Sequence, residues 1–479
     1  MSLHMNPSAS GKEMTAPLID CDVAIVGAGS AGLPAYREIL KAGLKPLLIE
    51  GGPHGTMCAR VGCMPSKLLI AAAQSVADMR HADGFGIRLA GPPRVDGAAV
   101  MERVRRERDR FVGFVLDDVQ AMPLEHRLDA PVEFLRDGVL RAADGREVHA
   151  RRVILATGTR PNVPDLYRPL GALAIVNDDV FDWHDLPRSV LVVGSGVIGV
   201  ELGLALARLG VRVRVLNRSD SFAHLADPQV RAAAVDLLAP ELSLVRRAQV
   251  ETVRREGDQA VVGWSVDGGP VTVERFDRVL LTAGRSPALE SLRLERTTMP
   301  LDERGRPRFD PATLQVQGQP VFLAGDVTGR HAIQHEASDD GRLAGRNAAA
   351  WPDVRALPRR APMAVVFSDP QIMQVGGGYA ALDGLDEIAV GEVDWTRQGR
   401  SRVMQRNQGL LHVYMRKSDR RFLGAEMVGP DAEHVAHLLA WALQMEMTVP
   451  DMLALPFYHP TIEEGIRTAL RDAARQAAG

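Results

Sequence analysis

Asp22-Val23-Ala24-Ile25-Val26-Gly27-Ala28-Gly29-Ser30-Ala31-Gly32 decides the fold of this chain. The first five residues form a short apolar, partly β-branched run, the pattern of a buried strand. Three glycines follow at Gly-x-Gly-x-x-Gly spacing, then a helical stretch to Ala42. A second apolar run, Lys45 to Ile49, ends at Glu50. Strand, glycine turn, helix, strand and acid come in the order that builds a dinucleotide site. Glycines let the backbone approach a pyrophosphate at a helix N-terminus, and the acid accepts from a ribose hydroxyl. Glu50 lies 23 residues beyond Gly27. A bare glycine motif reads equally well as a tight turn; the strand, helix and acid around it favour the dinucleotide.

The pattern recurs. Ser189 to Val193 is strand-like, Gly194-Ser195-Gly196-Val197-Ile198-Gly199 is the turn, and Val200 to Leu209 is helical. Val211 to Leu216 is the next strand, and Asn217 stands 23 residues beyond Gly194. The run Arg152 to Gly158 closes the first unit in Ala156-Thr157-Gly158-Thr159-Arg160. The second closes in Arg278 to Leu281 followed by Thr282-Ala283-Gly284-Arg285. This is a repeat at domain scale. Two dinucleotide folds imply two dinucleotides, and a flavin with a nicotinamide is the economical pair. Thr157 and Gly158 join the first set of candidate cofactor contacts, and Gly284 the second. Val321 to Asp326 is a further buried strand, ending in an acid at the end where ligands of such sheets bind.

Between the folds stands Cys58-Ala59-Arg60-Val61-Gly62-Cys63-Met64-Pro65-Ser66-Lys67. The chain has only 3 cysteines, the other being Cys21, so the pair is no fragment of a disulfide framework. Leu68 to Met79 reads as a helix, with Pro65 tolerated in its first turn. A helix N-terminus and the Lys67 cation both favour a thiolate. The spacing alone is compatible with a redox-active dithiol or with two buried, inert cysteines. Structural zinc fits poorly, because no second Cys/His pair stands nearby, and no metal site is expected.

In 479 residues, 46% are apolar and 24% charged, with a net charge of −3. No basic face argues for nucleic acid, and no apolar run reaches a membrane span. The stretch Met1 to Pro17 is a polar tail without a signal core. Few cysteines suit a reducing cytoplasm. Ala72 to Arg110 looks mostly helical, with a solvated charged face. Trp351 to Pro362 reads as a linker. Met363–Phe367, Leu410–Met415 and Leu423–Val428 read as strands, and Asp431 to Met447 as an amphipathic helix. The end carries Phe457-Tyr458-His459-Pro460-Thr461-Ile462-Glu463-Glu464. His459 and Glu464 pair as a base with its orienting carboxylate; the alternative is a loop histidine beside a capping box, Thr461 to Glu464.

Taken together, these motifs resemble the flavin-dependent pyridine nucleotide–disulfide oxidoreductases with a Cys-x4-Cys pair, over about Leu18 to Ala473. Dihydrolipoamide dehydrogenase is the member closest in pattern. The resemblance implies an α/β chain of two Rossmann-like domains and a C-terminal α+β dimerisation domain. The expected parts are an FAD-binding domain over 18–158 and 285–355, a nicotinamide domain over 159–284 and an interface domain over 362–479. FAD would bind Gly27, Gly29, Gly32, Glu50 and Asp326, with Lys67 near its reactive edge. The nicotinamide would bind Gly194, Gly196, Gly199 and the region of Asn217–Arg218. Cys63 would be the thiolate against the flavin and Cys58 the exchanging thiol. Lys67 would pair with Glu201. His459 and Glu464 would complete the site of the other subunit of a homodimer.

Two departures from the family pattern stand out. Gly55-Thr56-Met57-Cys58 replaces the usual Gly-Gly-Thr-Cys, and Phe457 occupies the position of a second histidine common in dihydrolipoamide dehydrogenases. No cysteine follows Cys63, which excludes the terminal thiol pair of mercuric reductases and large thioredoxin reductases. The expected substrate is a small dithiol or disulfide, with recruitment into a larger dehydrogenase complex possible. Glutathione reductase-like use of NADPH, a diaphorase or transhydrogenase with idle cysteines, and a non-catalytic subunit are the alternatives. Asn217 lacks the charge that repels a 2′-phosphate, and Arg218 can pair with one, so NADPH is expected to serve at least as well as NADH.

Overall fold

The structure is a computed structural model; it describes residues 18–330, 332–385 and 387–477, so the polar tail at 1–17 lies outside the described residues. The chain divides into two compact units. One comprises Met1–Thr56, Val115–Arg160 and Pro287–Leu357. The other comprises Met57–Phe114, Pro161–Ser286 and Pro358–Gly479.

The first unit is built on Leu18–Val26, which lies parallel to Pro46–Ile49 on one side and Glu147–Leu155 on the other. Val321–Leu323 adds a parallel strand beyond Glu147–Leu155. Val23, Ile25, Ile154 and Phe322 are fully buried, as expected for strands covered on both faces. The register Val26↔Ile49 and Val26↔Leu155 aligns the carboxyl ends of these strands. The turns that follow, at Gly27, Glu50, Ala156 and Ala324, therefore open at one edge of the sheet. Helix Gly32–Lys41 packs on helix Gln334–Ala350. The approach requires glycine: a Cβ on Gly341 would come within 2.1 Å of the Ala31 carbonyl oxygen.

The second unit holds a parallel sheet in the order Leu244–Val245, Arg212–Leu216, Ser189–Val193, Arg278–Leu281, Ala174–Ile175. Helix Val197–Arg208 lies between its first two long strands in sequence. The same unit carries an antiparallel three-stranded sheet, Ala248–Glu256, Gln259–Val266 and Thr272–Phe276. Its C-terminal part is a five-stranded antiparallel sheet ordered 363–366, 371–375, 422–429, 410–416, 388–394. Helices Ala432–Gln444 and Glu464–Gln476 cover it, around buried Val435, Leu439, Ile466 and Leu470.

The stretch 72–110 is mostly helical, as expected, and falls into two helices. A helix runs Cys63–His81, ends through a short 3-10 turn, and a second helix begins only at Gly97. Gly86 takes a left-handed φ of 78°, and Gly91-Pro92-Pro93 follows, so neither conformation nor amide donors permit continuation. The helix expected over Leu68 to Met79 with Pro65 in its first turn runs from Cys63 to His81, and Ser66 N bonds the Gly62 carbonyl at 3.2 Å.

Glycine substitutions test this packing. Gly341→Ala is expected to cost about 1–3 kcal/mol, because backbone must move to admit the methyl. Gly113→Ala, where a Cβ meets nothing within 4 Å on the helix Gly97–Gln120, is expected to gain roughly 0.5–1 kcal/mol. Thermal or urea unfolding of the two variants gives the comparison; equal midpoints would remove the helix-contact argument.

Candidate active site

In the first unit, Gly27 has φ +109, and a Cβ there would lie 2.3 Å from the Ala156 carbonyl oxygen. A Cβ on Gly32 would lie 1.8 Å from the Gly27 carbonyl oxygen, so both positions exclude a side chain. Gly29 differs: a Cβ would meet nothing within 4 Å, and the backbone is open on that side. Glu50 is oriented by the turn itself. Its Oε2 accepts from Ala28 N at 2.9 Å and its Oε1 from Gly52 N at 3.0 Å. Thr157 Oγ1 is buried with no hydrogen-bond partner among the described residues, beside Gly158 in its left-handed conformation. Asp326 lies in the turn Gly325–Thr328 that follows Val321–Leu323, and Gly325 N is held by Asp340 Oδ2 at 3.1 Å. A carboxylate with spare lone pairs, an open glycine and a buried unpartnered hydroxyl at one sheet edge fit a dinucleotide with ribose and pyrophosphate.

The second unit contains the cysteine pair. Cys63 opens helix Cys63–His81, and Cys58 lies in the short helix Met57–Arg60 just before it. Both are free thiols, Cys58 half-buried and Cys63 exposed. The Cys58 thiol donates to the Cys63 sulfur. That bond is the main reason the Cys63 thiol is lowered to about 7. Packing opposes the shift; Lys67 and the backbone N–H at the helix start assist it. The donor is correspondingly pushed up, because its own ionisation would lose the bond and place a second charge beside Cys63.

Lys67 Nζ lies 2.8 Å from Glu201 Oε2. Glu201 sits on helix Val197–Arg208 and is nearly buried; its Oε1 accepts from Phe367 N at 2.9 Å. The ammonium also stands 4.5 Å from the centre of the Phe367 ring. Lys67 is therefore held by a carboxylate and a ring together. Phe367 was not legible as a site residue: its contribution is a backbone N–H and a face, which no motif marks.

The second glycine turn repeats the first. Gly194 has φ +111, with Thr282 against it. A Cβ on Gly199 would come within 2.1 Å of the Gly194 carbonyl oxygen. Thr282 Oγ1 ties the closing turn to the Val193 and Gly194 carbonyls at 2.9 and 3.1 Å, and Gly284 takes φ +90. The His224 ring lies against Gly196. Asn217 donates from Nδ2 to the Ser219 and Ser221 carbonyls at 2.9 and 2.6 Å, folding the following loop back on itself. Arg218 is exposed and makes no ion pair among the described residues.

His459 Nδ1 lies 2.9 Å from Glu464 Oε2. Arg467 holds Oε1 of the same carboxylate at 2.7 Å. Burial works against ionisation of Glu464, but the bonds from His459 and the Thr461 N–H, with the Arg467 charge, outweigh it and keep its carboxyl below the usual range. Of the capping box read at Thr461–Glu464, the half from Thr461 N to Glu464 Oε2 is present at 3.4 Å, while Thr461 Oγ1 donates to the Tyr458 carbonyl at 2.9 Å. His459 is 81% exposed, and among the described residues no hydrogen bond joins it to Cys58 or Cys63.

A family model for pyridine nucleotide-disulphide oxidoreductases matches residues 21–341, and that family's dimerisation domain matches residues 363–470. The chain belongs to this family. It is similar to a dihydrolipoyl dehydrogenase of Geobacillus stearothermophilus, 29% identical over 93% of this chain and 94% of the relative. It is similar to another of Halobacterium salinarum, 30% identical over 96% of each. Among solved structures it shares the fold of the HOCl-induced flavoprotein disulfide reductase RclA from Escherichia coli. The TM-score is 0.81 and the identity 22%, covering 94% of this chain and 99% of that one. The protein is thus an FAD-dependent pyridine nucleotide–disulfide oxidoreductase, dihydrolipoyl dehydrogenase-like, with the family's dimerisation domain. Among the described residues no helix is long and apolar enough to cross a membrane.

The thiol geometry has a direct consequence. Cys63 is lowered from 9.0 to about 7, so its thiolate is present above that pH and lost below it. Titrating the thiolate ultraviolet absorbance of the reduced protein is expected to show this midpoint. Cys58→Ala and Lys67→Met each remove a stabilising partner and are expected to move it upward. A midpoint unchanged in Cys58→Ala would refute the thiol–thiol bond.

Proposed function

We propose that the chain oxidises a small dithiol, or reduces the corresponding disulfide, through the Cys58–Cys63 pair, with a nicotinamide as the other redox partner. The observation that carries this reading is the placement of the pair: two free cysteines, Cys63 opening the helix Cys63–His81 and Cys58 in the short helix just before it, with the Lys67–Glu201 ion pair on the same helix start. In the oxidative direction a substrate thiolate attacks Cys58 of the disulfide. The Cys58–Cys63 bond breaks, Cys63 leaves as thiolate, and the substrate is held as a mixed disulfide on Cys58. His459 of a second subunit takes the proton of the remaining substrate thiol, which attacks its own bound sulfur. Cys58 departs and receives that proton, the substrate leaves as a disulfide, and two electrons stay on the cysteine pair. Bound FAD supplies a two-electron carrier between such a dithiol and a nicotinamide.

In this reading Gly27, Gly29, Gly32, Glu50, Thr157, Gly158 and Asp326 hold FAD. Gly194, Gly196, Gly199, Gly284, Asn217 and Arg218 hold the nicotinamide. Lys67 and Glu201 fix charge beside the pair, and Glu464 orients the His459 ring. The exposure of His459 within one chain favours action across a dimer. Lipoamide-like dithiols fit the relatives best, and recruitment into a larger dehydrogenase complex belongs to the same reading.

His459→Ala is expected to slow dithiol oxidation about 10²–10⁴-fold. Cys58→Ser is expected to abolish disulfide turnover while leaving a reducible flavin. Mixing the two inactive proteins under subunit exchange is expected to restore activity, since each hybrid dimer contains one intact composite site. No recovery after demonstrated exchange would rule out a shared site.

The reading extends to the nicotinamide. Asn217 carries no charge to repel a 2′-phosphate, and Arg218 stands exposed beside it. NADPH is expected to be used at least as well as NADH. The check is the ratio of kcat/KM for the two cofactors, in wild type and in Asn217→Glu/Arg218→Ala. A tenfold wild-type preference for NADH, unmoved by the double substitution, would show that these residues do not read the 2′ position.

A further inference from the structure

We infer that Arg285, acting with Asn177, is a positioning residue for the dithiol: it grips the Cys58–Cys63 loop at both ends. The inference rests on the reading of that pair as the redox centre. Arg285 Nη2 donates to Met57 Sδ at 3.0 Å, and Met57 immediately precedes Cys58. Its Nη1 donates to Asn177 Oδ1 at 3.1 Å. Asn177 is buried, and its Nδ2 donates in turn to the Val61 carbonyl at 3.0 Å, two residues before Cys63. One guanidinium fork thus spans the loop, directly at one end and through one amide at the other. A planar fork can do this where a single ammonium cannot.

The clamp is itself anchored. Arg285 follows Gly284 in the turn that Thr282 pins to the Val193 and Gly194 carbonyls. Asp178 Oδ1 accepts from Asn177 Nδ2 at 2.9 Å and stands 3.9 Å from Arg285 Nη1, with Arg60 also facing it. The charge of the clamp is therefore balanced at the loop rather than directed at the sulfurs. Lys67, Glu201 and Cys58 are the groups that face Cys63.

A loop held at both ends fixes the spacing of its two sulfurs. Released, it lets Cys58 swing away, and Cys63 loses the donor that chiefly stabilises its thiolate. A thioether is a weak acceptor, so Met57 is held by the charge of the donor, and the position matters more than the strength of the bond. Met57 stands where the family pattern has threonine, so this end of the clamp uses a residue particular to the chain.

The test is the thiolate ultraviolet titration of the reduced holoenzyme, read against Cys58→Ser/Cys63→Ser to subtract the flavin background. Arg285→Met and Asn177→Ala are expected to raise the Cys63 midpoint from about 7 by about one unit. The kcat for disulfide reduction is expected to fall by about tenfold or more, with the KM for nicotinamide within about twofold. Arg285→Lys keeps the charge and lacks the fork, so it is expected to remain displaced. Met57→Leu preserves the packing and removes only the sulfur acceptor; a smaller upward shift is expected, which keeps the test open if Arg285→Met fails to fold. An unchanged midpoint in Met57→Leu and Asn177→Ala, or full recovery in Arg285→Lys, would overturn the clamp. Near-normal disulfide turnover by Cys58→Ser would instead overturn the redox-centre reading, which the titration does not depend on.

Discussion

The hydrogen bond from the Cys58 thiol to the Cys63 sulfur is the interaction on which the chemistry depends. Two thiols in water would titrate alike. Here the helix that begins at Cys63 turns its free N–H groups toward one sulfur, and Lys67 adds a cation one turn on. The same geometry makes Cys58 the donor and holds its proton tightly. In the proposed function this asymmetry separates the roles, Cys63 as the leaving thiolate and Cys58 as the sulfur that carries the substrate. Glu201 and Phe367 serve this asymmetry by keeping Lys67 in place from outside the cysteine helix.

The two glycine turns show one backbone device used twice with different residues beside it. In both, the first glycine has positive φ against the closing strand, and the third lies against the carbonyl of the first. What differs is the residue after the second strand. Glu50 accepts from the turn's own amides, Ala28 N and Gly52 N, and in the proposed function uses its remaining lone pairs for a ribose. Asn217 spends its amide donors on the loop that follows it.

The elements legible in the sequence were those whose pattern is local. The strands at 189–193 and 278–281 coincide with their apolar runs, because parallel strands buried on both faces are continuously hydrophobic. The antiparallel sheet over 248–276 was not anticipated, since its outer strand alternates weakly and carries arginines and glutamates on exposed positions. Similarly, 371–375 and 388–394 escaped notice, being short and interrupted by glycine and polar residues. In the candidate site, residues that belong to motifs were legible and residues acting through backbone or through a neighbouring side chain were not. Phe367, Asn177 and Arg467 carry no local signal; only the fold places them beside Glu201, Val61 and Glu464.

The central claim is that electrons from a nicotinamide reach the cysteine pair. Thiol trapping tests it most directly. The oxidised protein is mixed anaerobically with one equivalent of reduced nicotinamide cofactor, NADH or NADPH, then denatured and alkylated, and the labelled peptides are mapped by mass. The account predicts that one equivalent converts two protected sulfurs into two alkylated ones, at Cys58 and Cys63, while Cys21, a free thiol outside the pair, is labelled alike before and after. Oxidation of the nicotinamide with no new labelling at Cys58 and Cys63 would contradict it.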